Sequence, residues 1–519
     1  MKQETKAKAG SAAIDEQAAS QAAQFAAHFQ RLASSHRLER GDGAPALRML
    51  LSTQLAAFDA ACDALEGARL DGSELPAAAG AILDGYPLID AQLREARGQL
   101  LHDDGVLPRL APDGQARIHA LAGEAVAQGG GKIARAELAA MLAAYQEGLE
   151  DKALRLAELR LLPAALRLAL LDTLRHVAER SAEACRERLL AADWAGRMLD
   201  TAQQRSGDLI LLVADMARAV QPLGSAFVAE LARRLHGRGG ALEQALAWID
   251  ARLQDEGSGI GQLVERERGA LAADGAIAAH CLASLRLLGG VDWRALLEEA
   301  SPVEALLRAD PDGSYARMDG PTRDLYRLAV ETLALRARRL ETEVAHEALA
   351  LAGVHRAPGE GGLDLRRRHI GYYLAGPGRE ALMQRLRPRS GLAARLRRPR
   401  APLALRIGAE VLLSLLFAVC VVACARTQGA GLVLQAAIAL LSLVGASQLA
   451  VALSDMMAAW LAPRPQAMPR MGFEDGIPAE ALTLVAVSAQ LAHALQGAGL
   501  CRDLVQRYLA NRGPRPRLC

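Results

Sequence analysis

The chain has 519 residues, of which 51% are hydrophobic, 23% are charged and only 3% are aromatic, and its formal net charge is +2. This composition excludes a collagen, a disulfide-rich secreted module and a wholly disordered chain. The 61 Lys and Arg residues are balanced by 59 Asp and Glu residues, without the basic excess of a nucleic-acid-binding protein. Stretches rich in Ala, Leu, Arg and Glu predict a mainly α fold without a nucleic-acid partner.

The start of the chain and its cysteines indicate a reducing compartment. Residues 1–35 are polar and rich in Ala and Gln, without firm helix caps, and predict a disordered lead-in. The first 20 residues lack the apolar run of roughly 7–15 residues found in a secretory signal. The seven cysteines are scattered and form no CxxC pair, so we expect reduced thiols rather than a metal or redox motif.

Residues 36–380 carry a repeated helical periodicity and predict a multi-helix domain. Leu166, Leu170 and Leu174 recur on one face of a predicted helix, and Pro163 stands where a first turn tolerates proline. No fixed repeat period is present, so a solenoid is not predicted.

Three short sequences predict helix starts in this domain. Residues 301–304 read as a capping box, in which Ser301 accepts from the amide of Glu304 and Glu304 reaches back. Asp193 and Asp292, each followed by Trp, are predicted as two further caps.

Residues 407–461 predict a transmembrane hairpin. The run 407–425 has Glu410 as its one charge, and 427–454 has none. Nineteen helical residues span about 28 Å, close to the hydrocarbon thickness of a bilayer. Because only a tight turn fits between the runs, they should be antiparallel; a pair of buried helices in a soluble protein is the alternative.

Arginines around the hairpin predict its orientation. Residues 381–406 form an Arg-rich juxtamembrane linker that contains eight arginines and no Asp or Glu. Positive charge stays on the cytoplasmic side, so both ends of the hairpin and the helical domain should be cytoplasmic. The linker is either a solvated segment interrupted by prolines or a contact with anionic lipid headgroups. Trp460, which follows the second apolar run, suits an interfacial anchor.

We assign no catalytic, cofactor-binding or metal-binding residues. Residues 129–132 lack the Ser or Thr that follows Lys in a phosphate-binding loop, and 257–261 lack the strand before a dinucleotide fingerprint. Residues 310–312 read as a turn at a helix end rather than a metal-binding acid pair. Residues 102–104 and 280–281 lack a second cluster of ligands nearby in sequence, which argues against zinc.

Several stretches in order resemble the amino-terminal part of the cyclic β-1,2-glucan synthases, which are large bacterial inner-membrane enzymes. The similarity covers roughly residues 85–512. The stretches that carry it are 158–168, 193–195, 212–218, 225–228, 292–294, 315–319, 322–327, 369–374, 447–453 and 469–478. Residues 102–105 depart from the family pattern and, with the low aromatic content, indicate a divergent copy.

The resemblance implies a cytoplasmic glycosyltransferase domain after the hairpin, using UDP-glucose and a divalent metal. Residues 482–487 would be its first strand and 491–508 its first helix, so 462–519 would be a linker and the truncated start of that α/β domain. The metal-binding acids and the catalytic base would lie beyond Cys519, and no cofactor is expected in this chain.

The sequence therefore predicts a membrane-anchoring, amino-terminal portion of a glucan synthase, inactive alone. It would lie in the bacterial inner membrane as a multi-pass protein, with membrane lipids and a separately encoded catalytic half as candidate partners. A membrane-tethered helical scaffold that was never part of an enzyme is the alternative. The predicted strand-then-helix unit at 482–512 distinguishes the synthase portion from the scaffold, because a scaffold has no need of an unpaired sheet edge.

Overall fold

The computed structural model describes residues 23–39, 41–147, 153–255, 257–354, 366–386, 402–429, 431–461, 469–472 and 494–510. The predicted mainly α fold is confirmed. The chain divides into two compact units, Met1–Met383 and Gln384–Cys519. The helices up to the end of the first core are α1 (23–35), α2 (Ala44–Leu70), α3 (Ala77–His102), α4 (Arg117–Gln128), α5 (Arg135–Gln146) and α6 (Leu156–Gln204).

The remaining helices follow in two groups. Those of the helical unit are α7 (Leu209–Ala219), α8 (Ser225–Leu235), α9 (Gly240–Asp255), α10 (Ile260–Leu288), α11 (Trp293–Ala300), α12 (Pro302–Arg308), α13 (Gly320–Ala337), α14 (Glu341–Val354), α15 (Gly371–Leu374) and α16 (Arg379–Leu386). The later ones are α17 (Pro402–Thr427), α18 (Leu432–Leu461) and α19 (Ala494–Ala510). Strands β1 (Leu38–Glu39) and β2 (Arg109–Leu110) pair antiparallel, with Leu38 opposite Leu110.

The 49-residue helix α6 is the axis of the helical unit. Most of its first 16 residues are buried, and it packs against α2, α3, α4, α8 and α10. A helix that is apolar on nearly every side belongs inside a core, which explains why Leu166, Leu170 and Leu174 are fully buried as predicted.

Two predictions about α6 were wrong. Pro163 lies inside the helix, which begins at Leu156 rather than at the proline. Asp193 is no cap, since α6 continues through it, and Trp194 is buried in a second core with the Arg197 guanidinium 4.0 Å from its ring centre. Packing of the flanking helices overrides these local start signals.

Two apolar cores lie along α6. The first joins its amino-terminal half to α1–α5 and α10, with Phe29, Phe58 and Ile82 fully buried or nearly so. The second joins its carboxy-terminal end to α7–α9, around Phe227 and Ile249. The predicted disordered lead-in differs from the structure over residues 23–35, which form α1, because Phe29 is anchored in the first core.

Helix caps follow the sequence in two of the predicted places. Asp292 accepts a hydrogen bond from the Ala295 amide at 3.0 Å, and Ser301 accepts one from the Glu304 amide at 3.3 Å. The Glu304 carboxylate does not reach back as a capping box requires. It turns inward and is fully buried.

Helices α17 and α18 pack against each other as a hairpin, with the turn around Gly429. Their contact face carries small side chains, since Ser414, Ala418, Ala446 and Ala450 are buried, which permits close approach of two backbones. The remaining faces expose large apolar side chains, among them Leu412, Phe417, Leu434, Leu440, Leu441 and Val444.

By length and composition, two helices among the described residues could cross a membrane, Ile260–Leu288 and Leu432–Leu453, and Ser414–Thr427 is a shorter apolar helix. The first is α10, which belongs to the helical unit: Cys281 and Leu285 are buried in the first core, and Asp274 pairs with Arg180 at 2.5 Å. The side chain of Trp460, the linker residues 387–401 and the predicted strand 482–487 lie outside the described residues, whereas the predicted helix 491–508 corresponds to α19.

Candidate functional site

The backbone amides of the glycine turn at residues 129–132 are hydrogen-bonded within the protein. The amides of Gly129, Gly130, Gly131 and Lys132 all donate to backbone carbonyls, and that of Ile133 donates to Ser284 Oγ at 2.9 Å. A phosphate-binding loop needs free amides pointing at the ligand. The turn interpretation is therefore confirmed: this segment connects α4 to α5 and packs on α10.

Two other candidates from the sequence are also structural connections. His280 and Cys281 lie beneath the same turn, with His280 Nδ1 3.2 Å from the Gly130 carbonyl oxygen. At 257–261 the chain links α9 to α10, and the Ile260 amide donates to Asp250 Oδ1 at 2.7 Å. This linker follows a helix rather than the strand that a dinucleotide fingerprint needs.

Of residues 102–104, Asp103 belongs to a partly buried ion network. Arg160 Nη2 donates to Asp103 Oδ1 at 2.9 Å, and Arg160 Nη1 to Glu331 Oε2 at 3.1 Å. Burial alone would raise the pKa of Asp103, but hydrogen bonds and charge from Arg160 outweigh it and hold that pKa below its usual value. The network ties the loop after α3 to α6 and α13.

A second network is built around Glu304. Its carboxylate accepts from Arg327 Nε at 2.8 Å, Tyr315 Oη at 2.7 Å and Arg308 Nε at 3.0 Å. Burial opposes ionisation, yet these donors lower the pKa of Glu304, while burial and the neighbouring Glu304 charge raise the pKa of Tyr315. Arginine and tyrosine donors thus hold a buried carboxylate ionised.

A third cluster brings together residues that the sequence separates. Asp310 lies in the turn after α12, and its Oδ2 is 2.7 Å from Nδ1 of His369, which precedes α15. Ligand atoms of Asp310, Asp312 and His369 lie within 4.8 Å of one another. The sequence-based turn at 310–312 is present, but the third member, 57 residues after Asp312, had no signal in the spacing.

The described helical unit contains a cavity of about 970 Å³ lined by α6, α8, α9 and α10. Its charged side chains largely pair with one another: Arg188 contacts Glu267 at 3.0 Å, and Arg233 contacts Glu230 at 2.6 Å. Its described lining includes the imidazole of His236 but no Phe, Tyr or Trp.

No family model matches the chain. It is similar to the cyclic beta-(1,2)-glucan synthase NdvB of Rhizobium meliloti (strain 1021), with 29% identity over 452 residues, which is 85% of this chain and 15% of the relative. The resemblance inferred from the ordered stretches is thereby confirmed, and the chain spans about 15% of the length of the curated relative it matches.

Three of the stretches that carry the resemblance to the synthase supply residues to the polar clusters. Stretch 158–168 supplies Arg160 to the first network, 322–327 supplies Arg327 to the second, and 369–374 supplies His369 to the third. These three stretches thus contribute to polar contacts inside the helical unit.

Proposed function

We propose that this chain is the amino-terminal, membrane-anchoring portion of a cyclic β-1,2-glucan synthase-like glycosyltransferase and is inactive alone. The similarity to the synthase extends over most of this chain and supports a glucan synthase-like glycosyltransferase family. UDP-glucose and its divalent metal would be held by parts of the synthase outside the 15% that the chain matches, whether on the same polypeptide or on a separately encoded catalytic half.

The α17–α18 hairpin supports the anchoring role. Leu440 and Leu441 are 67% and 73% exposed, and such adjacent apolar side chains are costly in water but favourable in lipid. We place the hairpin in the bacterial inner membrane, with both ends and the helical unit in the cytoplasm because of the preceding arginines. Anionic lipid headgroups would be the partners of those arginines.

Paired charge insertions test the anchor. Each Arg near the centre of a span costs about 2.5–3.5 kcal/mol on the insertion scale, so Leu440→Arg/Leu441→Arg should release the protein from membranes. The matched control is Ile210→Arg/Leu211→Arg, an adjacent apolar pair on α7 that is 65% exposed at both positions. After alkaline carbonate extraction, we expect wild type and control in the pellet and the hairpin variant in the supernatant; equal distribution of the two variants would contradict the proposal.

A further inference from the structure

The cluster of Asp310, Asp312 and His369 has the composition of a metal site. One donor atom from each of the three side chains lies within 4.8 Å of the other two. The donors come from two separate segments, the turn after α12 and the segment that precedes α15. One imidazole nitrogen and two carboxylate oxygens suit a divalent first-row transition metal better than Mg²⁺, which prefers oxygen ligands alone.

The Asp310 carboxylate is buried beside His369. Its side chain is 0% exposed, and its oxygens accept from the amides of Ile370 at 3.0 Å and Tyr315 at 3.3 Å. The side chain that contacts this carboxylate most closely is the His369 imidazole, with its Nδ1 2.7 Å from Asp310 Oδ2. A buried carboxylate costs several kcal/mol unless a positive charge or hydrogen-bond donors compensate it, and a cation held between Asp310 and His369 would supply such a charge.

The surroundings of His369 fit ligation through Nδ1. Its Nε2 lies 3.5 Å from Tyr326 Oη, and a neutral imidazole that places its proton on Nε2 leaves the Nδ1 lone pair free. Gly371 keeps this side open, because a Cβ there would lie 2.6 Å from His369 Nε2. Asp312 is held by a hydrogen bond from Ser314 Oγ and is partly exposed, which leaves room for water to complete the coordination.

We propose that Asp310, Asp312 and His369 bind a divalent transition metal ion, with Zn²⁺ as the test ion. Ion binding replaces the hydrogen bond between His369 Nδ1 and Asp310 Oδ2; the neutral imidazole then carries its one proton on Nε2 and binds the ion through Nδ1. The ion fastens the segment 366–374 to the turn after α12. Because the site requires both segments in place, the metal stabilises the folded helical unit by mass action.

The experiment uses the full chain, untagged and in detergent, stripped with a chelator and dialysed. Titration calorimetry with ZnCl₂ should show one saturable site per chain in wild type. His369→Ala and Asp312→Asn should each weaken binding by at least about tenfold, the scale expected for loss of a ligand or its support. The control is His346→Ala, an exposed histidine on α14, which should bind as wild type. Co²⁺ should give a visible absorption band in wild type that is lost in both site variants.

The proposal is overturned if wild type shows no saturable Zn²⁺ binding, since the contact between Asp310 and His369 is then a hydrogen bond alone. It is also overturned if the two site variants bind as tightly as His346→Ala. Circular dichroism establishes that each variant is folded. Should His369→Ala unfold, Asp312→Asn decides, because Asp312 lies on a partly exposed turn and its amide keeps the shape of the carboxylate.

Discussion

Glu304 shows that contacts with distant residues, rather than the local sequence, can decide the role of a side chain. Glu304 stands at the position of a capping box, yet its carboxylate is buried against Arg327 and Tyr315. A cap interaction is worth about 1 kcal/mol, whereas a buried carboxylate with three charged or polar donors gains more. The distant partners therefore decide where the carboxylate points.

Glu341 makes a pH-dependent contribution to stability. Burial raises its pKa to about 7 from an ordinary value of 4.5, and it accepts a hydrogen bond from the Leu156 amide at the start of α6 at 2.8 Å. Between these pH values the unfolded chain ionises at this position while the native carboxyl keeps its proton. The free energy of unfolding therefore falls as the pH rises, by about 3 kcal/mol at most.

Glu341→Gln removes this effect while it keeps an acceptor for Leu156. We expect the variant to be more stable than wild type at pH 8, with the difference shrinking towards zero or reversing at pH 4. Urea unfolding followed by ellipticity at 222 nm across this range measures it. Glu343→Gln, on the exposed side of the same helix, is the control and should follow wild type; a parallel slope for Glu341→Gln would show that the carboxyl does not titrate as stated.

At the scale of elements, the α4–α5 turn depends on two glycines with different requirements. Gly130 and Gly131 both have positive φ, 54° and 84°. A Cβ on Gly130 meets nothing within 4 Å, whereas one on Gly131 would lie 2.6 Å from Cys281 Sγ on α10. The first glycine is needed for backbone conformation alone, and the second also for the close approach of the turn to α10.

We therefore expect Gly130→Ala to cost about 1–2 kcal/mol of unfolding free energy and Gly131→Ala clearly more. Burial raises the pKa of the Cys281 thiol to about 12, so this thiol should be inert in wild type. Thiol labelling followed by mass spectrometry should show faster modification of Cys281 in Gly131→Ala than in Gly130→Ala. Equal stability and equal labelling of Cys281 in the two variants would contradict the close approach of the turn to α10.

At the scale of the whole molecule, the two units differ in whether their large apolar side chains are buried or exposed. The helical unit hides its apolar side chains in two cores along α6, and the hairpin exposes large apolar side chains on most faces. The proposed division of labour therefore assigns anchoring to this chain and sugar transfer elsewhere.

This division predicts the behaviour of the purified chain with UDP-glucose. In the presence of Mg²⁺ or Mn²⁺, we expect UDP release no faster than in a protein-free sample, while a full-length cyclic β-1,2-glucan synthase assayed alongside releases UDP. Transfer of labelled glucose to any acceptor by the chain alone would contradict the inactivity that we propose. It would leave the membrane anchor, which the charge insertions test, unaffected.

Much of the architecture was predictable because it rests on local periodicity. The buried face of Leu166, Leu170 and Leu174, the Asp292 cap and the apolar run of α18 all follow from spacings within a few residues. The extent of α6 was not predictable, since Pro163 and Asp193 suggested boundaries that packing overrides. The order of α1 was missed for the same reason, because Phe29 is held by residues far along the chain.

The sequence by itself determined the helical class, the two long apolar helices and the family resemblance, because these depend on composition, on short periods and on ordered stretches. Only the tertiary structure decided that Asp103 meets Arg160, that Glu304 meets Arg327, and that Asp310 meets His369. The reason is physical: a helix places its side chains by a period of about 3.6 residues, but which two helices touch depends on the packing of the entire core.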